Sequence, residues 1–160
     1  MKTKAISFIT AILAVSSVVA GSALLEATTP ADWKVLVDKT KSCQISVPRD
    51  WVVSAFSPSV AHSPDNKSEV RMAVTNLGHT LSEFKVTAEQ IHAPIKIFED
   101  SKSRLWFSYE EPFAPEGIRV VNFLVGIPIQ GNVCAADVSF EKRRLESVAK
   151  QIAQSLAAAN

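Results

Sequence analysis

Residues Ile118–Phe140 read IRVVNFLVGIPIQGNVCAADVSF, and this stretch decides the fold. Its first part, Ile118–Ile127, is apolar at odd and even positions alike, which is typical of a strand buried on both faces. Pro128–Asn132 contains a proline and a glycine and predicts a turn. Val133–Phe140 then places apolar residues at every second position, the period of a strand with one buried face. We therefore expect a hairpin at the centre of a β-sheet.

Shorter stretches before this hairpin predict further strands. They are Trp33–Val37, Cys43–Val47, Trp51–Phe56, Val70–Val74, Ile95–Phe98 and Arg104–Glu110. Pro48-Arg49-Asp50 predicts a turn that joins Cys43–Val47 to Trp51–Phe56 as a hairpin. The proline- and serine-rich residues 57–68 predict a loop. Because consecutive strands are joined by short turns, we expect the sheet to be mainly antiparallel.

Two segments have the period of amphipathic helices. Thr80 and Glu83 have the spacing of a capping box, and apolar residues follow at helical intervals, so a helix is predicted over residues 81–92. A second helix is predicted from Glu141 to Ala158 because apolar residues again form one stripe. The predicted fold is therefore α+β, a central mainly antiparallel sheet flanked by two amphipathic helices.

The N-terminus has the layout of a secretory signal peptide. Lys2 and Lys4 precede the uncharged stretch Ala5–Ala20, which is shorter than the roughly 20 residues of a spanning helix. Cleavage is predicted after Ala20 or Ala23; the alternative is a retained transmembrane anchor. The expected organisation is a signal peptide over residues 1–23, a tether with a first strand over residues 24–42, and one globular domain over residues 43–160. We expect a secreted or periplasmic protein with no integral membrane segment in the mature chain.

The charge balance narrows the choice of partners. The chain has 17 lysines and arginines against 16 aspartates and glutamates, and two of the lysines lie in the predicted signal peptide. The basic excess that nucleic acids and anionic membranes select is therefore missing from the composition. The basic cluster at residues 142–144 is interpreted as the solvated face of the last predicted helix.

Two short motifs resemble those of the Mog1/PsbP-like superfamily. Val47-Pro48-Arg49-Asp50-Trp51 resembles the apolar-Pro-x-Gly-Trp hairpin that opens this family, with Asp50 in place of the usual glycine. The ending Ile152-Ala153-Gln154-Ser155-Leu156 is similar to the family's Ile-x-x-Ser-Leu. The resemblance covers residues 43–157 and implies a central antiparallel sheet flanked by helices. It implies almost nothing about chemistry, because a fold does not determine a function.

The sequence contains two cysteines, Cys43 and Cys134. Both lie on the apolar face of a predicted strand, and an exported chain with an even number of cysteines can form a disulfide. Two buried free thiols are the alternative. Neither cysteine belongs to a Cys-x-x-Cys motif, so a redox enzyme is not indicated.

No catalytic or cofactor motif stands out. His62, His79 and His92 lack the close spacing of zinc ligands, and there is no Gly-x-Ser-x-Gly motif. His62 with Asp65 is the weak candidate for a metal site. His92 ends the first predicted helix, where the helix dipole favours its protonated form. We expect no cofactor.

These observations favour an exported, non-enzymatic accessory or binding protein whose partner is a protein in the cell envelope or outside the cell. The candidate interaction surface is Trp106 with the loop residues Pro112, Phe113 and Pro115. Trp106 alternates with a face of apolar residues, so an uncovered sheet face would expose it. The alternatives are a small secreted or periplasmic hydrolase or metal-dependent enzyme that uses the loop of His62, and a secreted effector.

Overall fold

The computed structural model describes residue 30, residues 32–142 and residues 145–159. The predicted signal peptide, residues 1–23, lies outside the described residues. Across the described ranges, no helix has both the length and the apolar character that a membrane crossing needs.

The described residues form ten strands and two helices. The strands are β1 Trp33–Val37, β2 Cys43–Pro48, β3 Val52–Ser54, β4 Ser57–His62, β5 Ser68–Thr75, β6 Lys96–Asp100, β7 Leu105–Glu110, β8 Val120–Ile129, β9 Asn132–Glu141 and β10 Ala157–Ala158. The helices are α1 Leu81–His92 and α2 Glu146–Gln154.

The strands form two antiparallel sheets where one sheet was predicted. The larger sheet has the order β3-β4-β5-β9-β8-β7-β6, and the smaller has the order β1-β2-β10. The hairpin expected at the centre is β8–β9, which pairs from Val120↔Glu141 to Ile129↔Asn132 and has strands on both sides. Because β1 pairs with β2 along its whole length, residues 33–37 are part of the folded unit.

The helices pack on opposite faces of the larger sheet. On one side, here called the α1 face, Phe84 and Ala88 of α1 pack on Phe107 and Leu124. The other side, the α2 face, carries the larger core. There Ile152 of α2, together with the smaller sheet, covers side chains that alternate with those of the α1 face. Their apolar members are Trp106, Phe123, Val125, Val138 and Phe140.

The predicted hairpin of Cys43–Val47 with Trp51–Phe56 is wrong. β2 pairs with β1 and β10, whereas β3 pairs with β4 in the larger sheet. The turn itself is present, since the Trp51 amide donates to the Pro48 carbonyl at 3.1 Å. It redirects the chain from one sheet to the other, and the buried Trp51 ring belongs to the core between them.

Two further boundaries need correction. Residues 57–68 contain strand β4, and only residues 63–67 turn before β5 begins at Ser68. The final helix is α2, Glu146–Gln154, because β9 continues to Glu141 and the chain leaves the helix at Ser155. The Ser155 hydroxyl accepts a hydrogen bond from the Ser46 amide at 2.9 Å, and the next residues return to β2 as β10.

Candidate functional site

A groove of 880 Å³ opens at the edge of the larger sheet, beside β6 and the start of α2. This edge groove is lined by residues 91–96, Phe98, residues 108–113, Val121, Phe123, Phe140, Lys142, Glu146 and Lys150. Its volume lies within the range of roughly 300–1,000 Å³ typical of ligand sites in proteins.

The floor of the edge groove is aromatic. Phe98 lies with its ring centroid 4.9 Å from that of Trp106 and 5.7 Å from that of Phe123, and Phe123 is 4.8 Å from Phe140. Phe98 is 39% exposed, whereas the other three rings are buried. The floor is therefore a rigid apolar surface whose outermost ring faces the solvent.

The groove exists because α2 covers only part of the α2 face. α2 packs on β9 and β8, and β7 and β6 lie beyond it. Arg104, just before β7, donates to the carbonyls of Ala153 and Gln154 at 3.2 Å each and to that of Leu156 at 2.8 Å. The C-terminal end of α2 is thereby fixed against β7, and the edge groove lies towards its N-terminal end.

The rim of the edge groove carries both signs of charge. Glu110 pairs with Arg119 and with Lys142, and Lys150 pairs with Glu146 at 2.9 Å. The Arg119 guanidinium holds the pKa of the Glu110 carboxyl below its usual value. Lys96 has no ion pair with any described residue, and its Nζ lies 5.3 Å from the centroid of the Phe98 ring. This mixture of charges suits the surface of another protein better than a ligand of one charge.

A polar cluster reaches from the groove lining, where His92 and Tyr109 lie, to Asp137 on the α1 face. The His92 ring stacks on Tyr109 at 3.9 Å between centroids, and the Tyr109 hydroxyl donates to Oδ2 of Asp137 at 2.8 Å. Burial raises the pKa of Asp137 to about 6 and also raises the pKa of Tyr109. The Tyr109 phenol therefore stays protonated near neutral pH and can donate its hydrogen bond to Asp137 there. Burial lowers the pKa of His92 and the Glu111 carboxylate opposes this shift, so the direction is opposite to the one expected from the position of His92 at the end of α1.

Most of the sequence-predicted loop surface lies at the groove. Pro112 and Phe113 line it, and Phe113 is 90% exposed, while Pro115 lies outside the lining. Trp106 is only 9% exposed and packs beneath Phe98. The exposed part of this surface therefore consists of Phe98 and Phe113, and the Trp106 ring supports it from below.

The other sequence-predicted residues lie elsewhere. Cys43 and Cys134 form a disulfide that joins β2 to β9, with 6.5 Å between their Cα atoms. Nδ1 of His62 lies 3.1 Å from the Ser63 carbonyl, and the Asp65 carboxylate accepts from the Ser63 hydroxyl at 2.6 Å. Within the described residues, no group of three or more potential metal ligands is found.

The fold and the groove define a class of small α+β protein with an open apolar groove. Comparison with solved structures shows which known proteins share this fold. The chain matches the Saccharomyces cerevisiae Ran-binding protein Mog1p at 7% identity and a TM-score of 0.52, over 80% of this chain and 96% of that one. A Bacteroides thetaiotaomicron structure matches at 12% identity and a TM-score of 0.56, over 81% of this chain and 49% of that one, so the chain spans about half of that protein. Cyanobacterial PsbP from Synechocystis sp. PCC 6803 matches at 13% identity and a TM-score of 0.46, over 82% and 95%.

The chain therefore has the fold of Mog1p, in agreement with the resemblance read from its sequence. Identities this low show the fold alone. No protein-family model matches the sequence, and comparison with curated proteins finds no match.

Proposed function

We propose that this chain is an exported, non-enzymatic binding protein that holds a protein partner in the edge groove. One observation carries the proposal: an aromatic floor continues outwards into Phe98 and Phe113, two phenylalanines that the fold leaves in solvent. Aromatic residues are enriched at protein–protein interfaces, and an exposed apolar patch with a charged rim is typical of them.

The charges on the rim indicate that the partner carries both acidic and basic groups. A folded protein or a peptide can present acidic and basic groups together, and the rim offers both Lys96 and the carboxylates of Glu110 and Glu111. An apolar side chain of the partner would pack between Phe98 and Phe113, and the charged rim would set its orientation.

Phe56 provides a matched control for the groove. Its side chain is 95% exposed, about as much as that of Phe113. It lies in the turn between β3 and β4, at the opposite edge of the larger sheet. A photo-crosslinking phenylalanine analogue can be placed at Phe113, at Phe98 or at Phe56. The adducts from the two groove positions are then compared with those from Phe56, an exposed ring outside the groove.

Crosslinking in the native host tests the proposal. We expect the same adduct when the crosslinker is at Phe113 or at Phe98, and none when it is at Phe56. With the crosslinker at Phe98, the adduct should be lost in the Phe113→Ser variant and kept in the Phe56→Ser variant. The same adduct from Phe56, or no adduct from either groove position, would contradict the proposal.

Export has its own test, because the edge groove does not depend on it. Cell fractionation followed by mass spectrometry of the intact protein should find a mature chain that begins at Gly21 or Leu24, outside the cytoplasm. A full-length chain in the cytoplasm would contradict export and leave the crosslinking result intact.

A further inference from the structure

A second cavity, independent of the edge groove, lies where β4 leaves β5. β5 pairs with β9 along its whole length, Ser68–Thr75, but with β4 only from Glu69 to Arg71. β4 begins at Ser57, well before Val60, the first of its residues to pair with β5. The edge of β5 from Met72 to Thr75 is therefore bonded to no strand among the described residues.

Pro58 lies at the point where β4 leaves β5. The register that pairs Val60 with Arg71 would place Pro58 opposite Ala73 if it continued. Proline has no N–H to donate and is excluded from the interior of a sheet for that reason. Ser57 instead pairs with Ser54 of β3, so the start of β4 follows β3 away from β5.

The gap forms a slot of 570 Å³ between β5 and the turn Asp38–Thr40. The turn is held in shape by the Asp38 carboxylate, which accepts hydrogen bonds from the amides of Thr40, Ser42 and Cys43 at 2.8, 2.6 and 2.9 Å. One wall is thus fixed by the pairing of β5 with β9 and the other by the Asp38 carboxylate before anything binds, which reduces the entropic cost of binding.

We propose that this slot binds an extended peptide segment, which pairs with β5 as an added strand. The unpaired edge of Met72–Thr75 offers main-chain donors and acceptors at strand spacing, and a second strand satisfies such an edge best. Ala73 lines the slot between Arg71 and Thr75, so the segment should carry a small side chain at the position that faces Ala73. This inference does not rest on the proposed function of the edge groove.

The test uses the full chain and the capped pentapeptide Ac-Thr-Ala-Val-Ala-Thr-NH2, followed by amide NMR. We expect shift changes at Met72–Thr75, at Ser57 and Ser59 and in the turn Asp38–Thr40, and slower hydrogen exchange at alternate residues of Met72–Thr75. No shift change at the solubility limit of the peptide would overturn the proposal.

Two blocking variants and one control complete the test. Pro58→Val restores a backbone N–H, so we expect β4 to pair further along β5. The amides of Met72–Val74 should then be protected from hydrogen exchange without peptide. The peptide should cause no shift changes in this variant. Should that variant not fold, Ala73→Trp blocks the slot from an exposed position and should abolish the response. Pro112→Val, at the edge groove, should respond as the unmodified chain does. An unchanged response in the folded blocking variants, or loss of the response in Pro112→Val, would overturn the proposal.

Discussion

At the scale of single residues, Asp137 combines a raised pKa with a buried oxygen to which no described residue donates. It lies on β9 in the middle of the larger sheet, with Oδ2 bonded to Tyr109 and with Oδ1 buried and without a partner among the described residues. Burial raises its pKa from 3.8 to about 6, so the folded state binds its proton more tightly than the unfolded state. The carboxylate form therefore opposes folding.

The sign of this shift gives a pH dependence. The contribution of Asp137 to the free energy of unfolding should fall as the pH rises from about 4 to about 6, by at most about 3 kcal/mol. Asp137→Asn should remove this loss and make the protein more stable at pH 8, because the amide oxygen still accepts from Tyr109. Urea unfolding at pH 4.5 and pH 8 measures both effects.

Asp65 provides the control of opposite sign. Hydrogen bonds from the Ser63 hydroxyl and the Lys67 amide lower its pKa, so its contribution is present at neutral pH and is lost on acidification. Asp65→Asn should therefore lower stability at pH 8. If Asp137→Asn also lowered it there, the burial penalty assigned to Asp137 would be wrong.

At the scale of elements, α1 depends on the absence of a side chain beneath it. A Cβ on Gly126 of β8 would lie 2.9 Å from Cε1 of Phe84, closer than real contacts allow, and the Phe84 ring is fully buried. Gly126→Ala should therefore cost about 1–3 kcal/mol of stability through overpacking. Chemical denaturation of the variant measures this cost.

A double mutant tests the cause of that loss. In the Phe84→Leu background the added methyl group meets a shorter side chain, so Gly126→Ala should cost clearly less there. An equal cost in both backgrounds would assign the effect to the conformation of β8 instead of the contact with α1.

The C-terminal end of α2 depends on Arg104. Arg104→Gln removes charged hydrogen bonds to three carbonyls and should lower stability by about 1–3 kcal/mol. Hydrogen exchange should accelerate in α2 and β10 while β5 stays protected. Lys102→Gln, in the same turn and exposed, should leave the exchange of α2 unchanged, and an equal effect of both variants would contradict the capping role.

Elements set by local signals were predictable from the sequence. The helix expected over residues 81–92 is found there because Thr80 Oγ1 accepts from the Glu83 amide at 3.2 Å, a contact between neighbours in sequence. The strand pairing around Pro48 could not be predicted, because the same turn sequence serves whether the chain stays in one sheet or crosses to another. The crossing depends on distant contacts, such as the bond from Lys34 Nζ to the Trp51 carbonyl.

The candidate site was predictable to a similar degree. Phe113 could be found because a proline-rich loop exposes an aromatic residue. Phe98 could not, because its place in the groove depends on which strands α2 leaves uncovered. His92 and Tyr109 could not, because their stacking joins the end of α1 to β7, which are distant in sequence. Trp106 was ambiguous for the same reason, since sequence alternation assigns a residue to a face and does not say what covers that face.

At the scale of the whole molecule, the two sheets are joined covalently. The Cys43–Cys134 disulfide spans 91 residues, and closing such a loop is worth about 4–5 kcal/mol in the chain-entropy account, an upper figure. Urea unfolding with and without reductant should therefore show a large loss of stability on reduction. Thiol titration under denaturing, non-reducing conditions is the check, and two free thiols would contradict the bond.

The smaller sheet also has a consequence for the order of events during synthesis. β1 and β2 leave the ribosome first, yet β2 needs β10, at residues 157–158, on one side and Cys134 across the core. The earliest strands thus wait for the latest ones. Since contacts so distant in sequence form slowly, we expect the smaller sheet to be among the last parts of the fold to be completed.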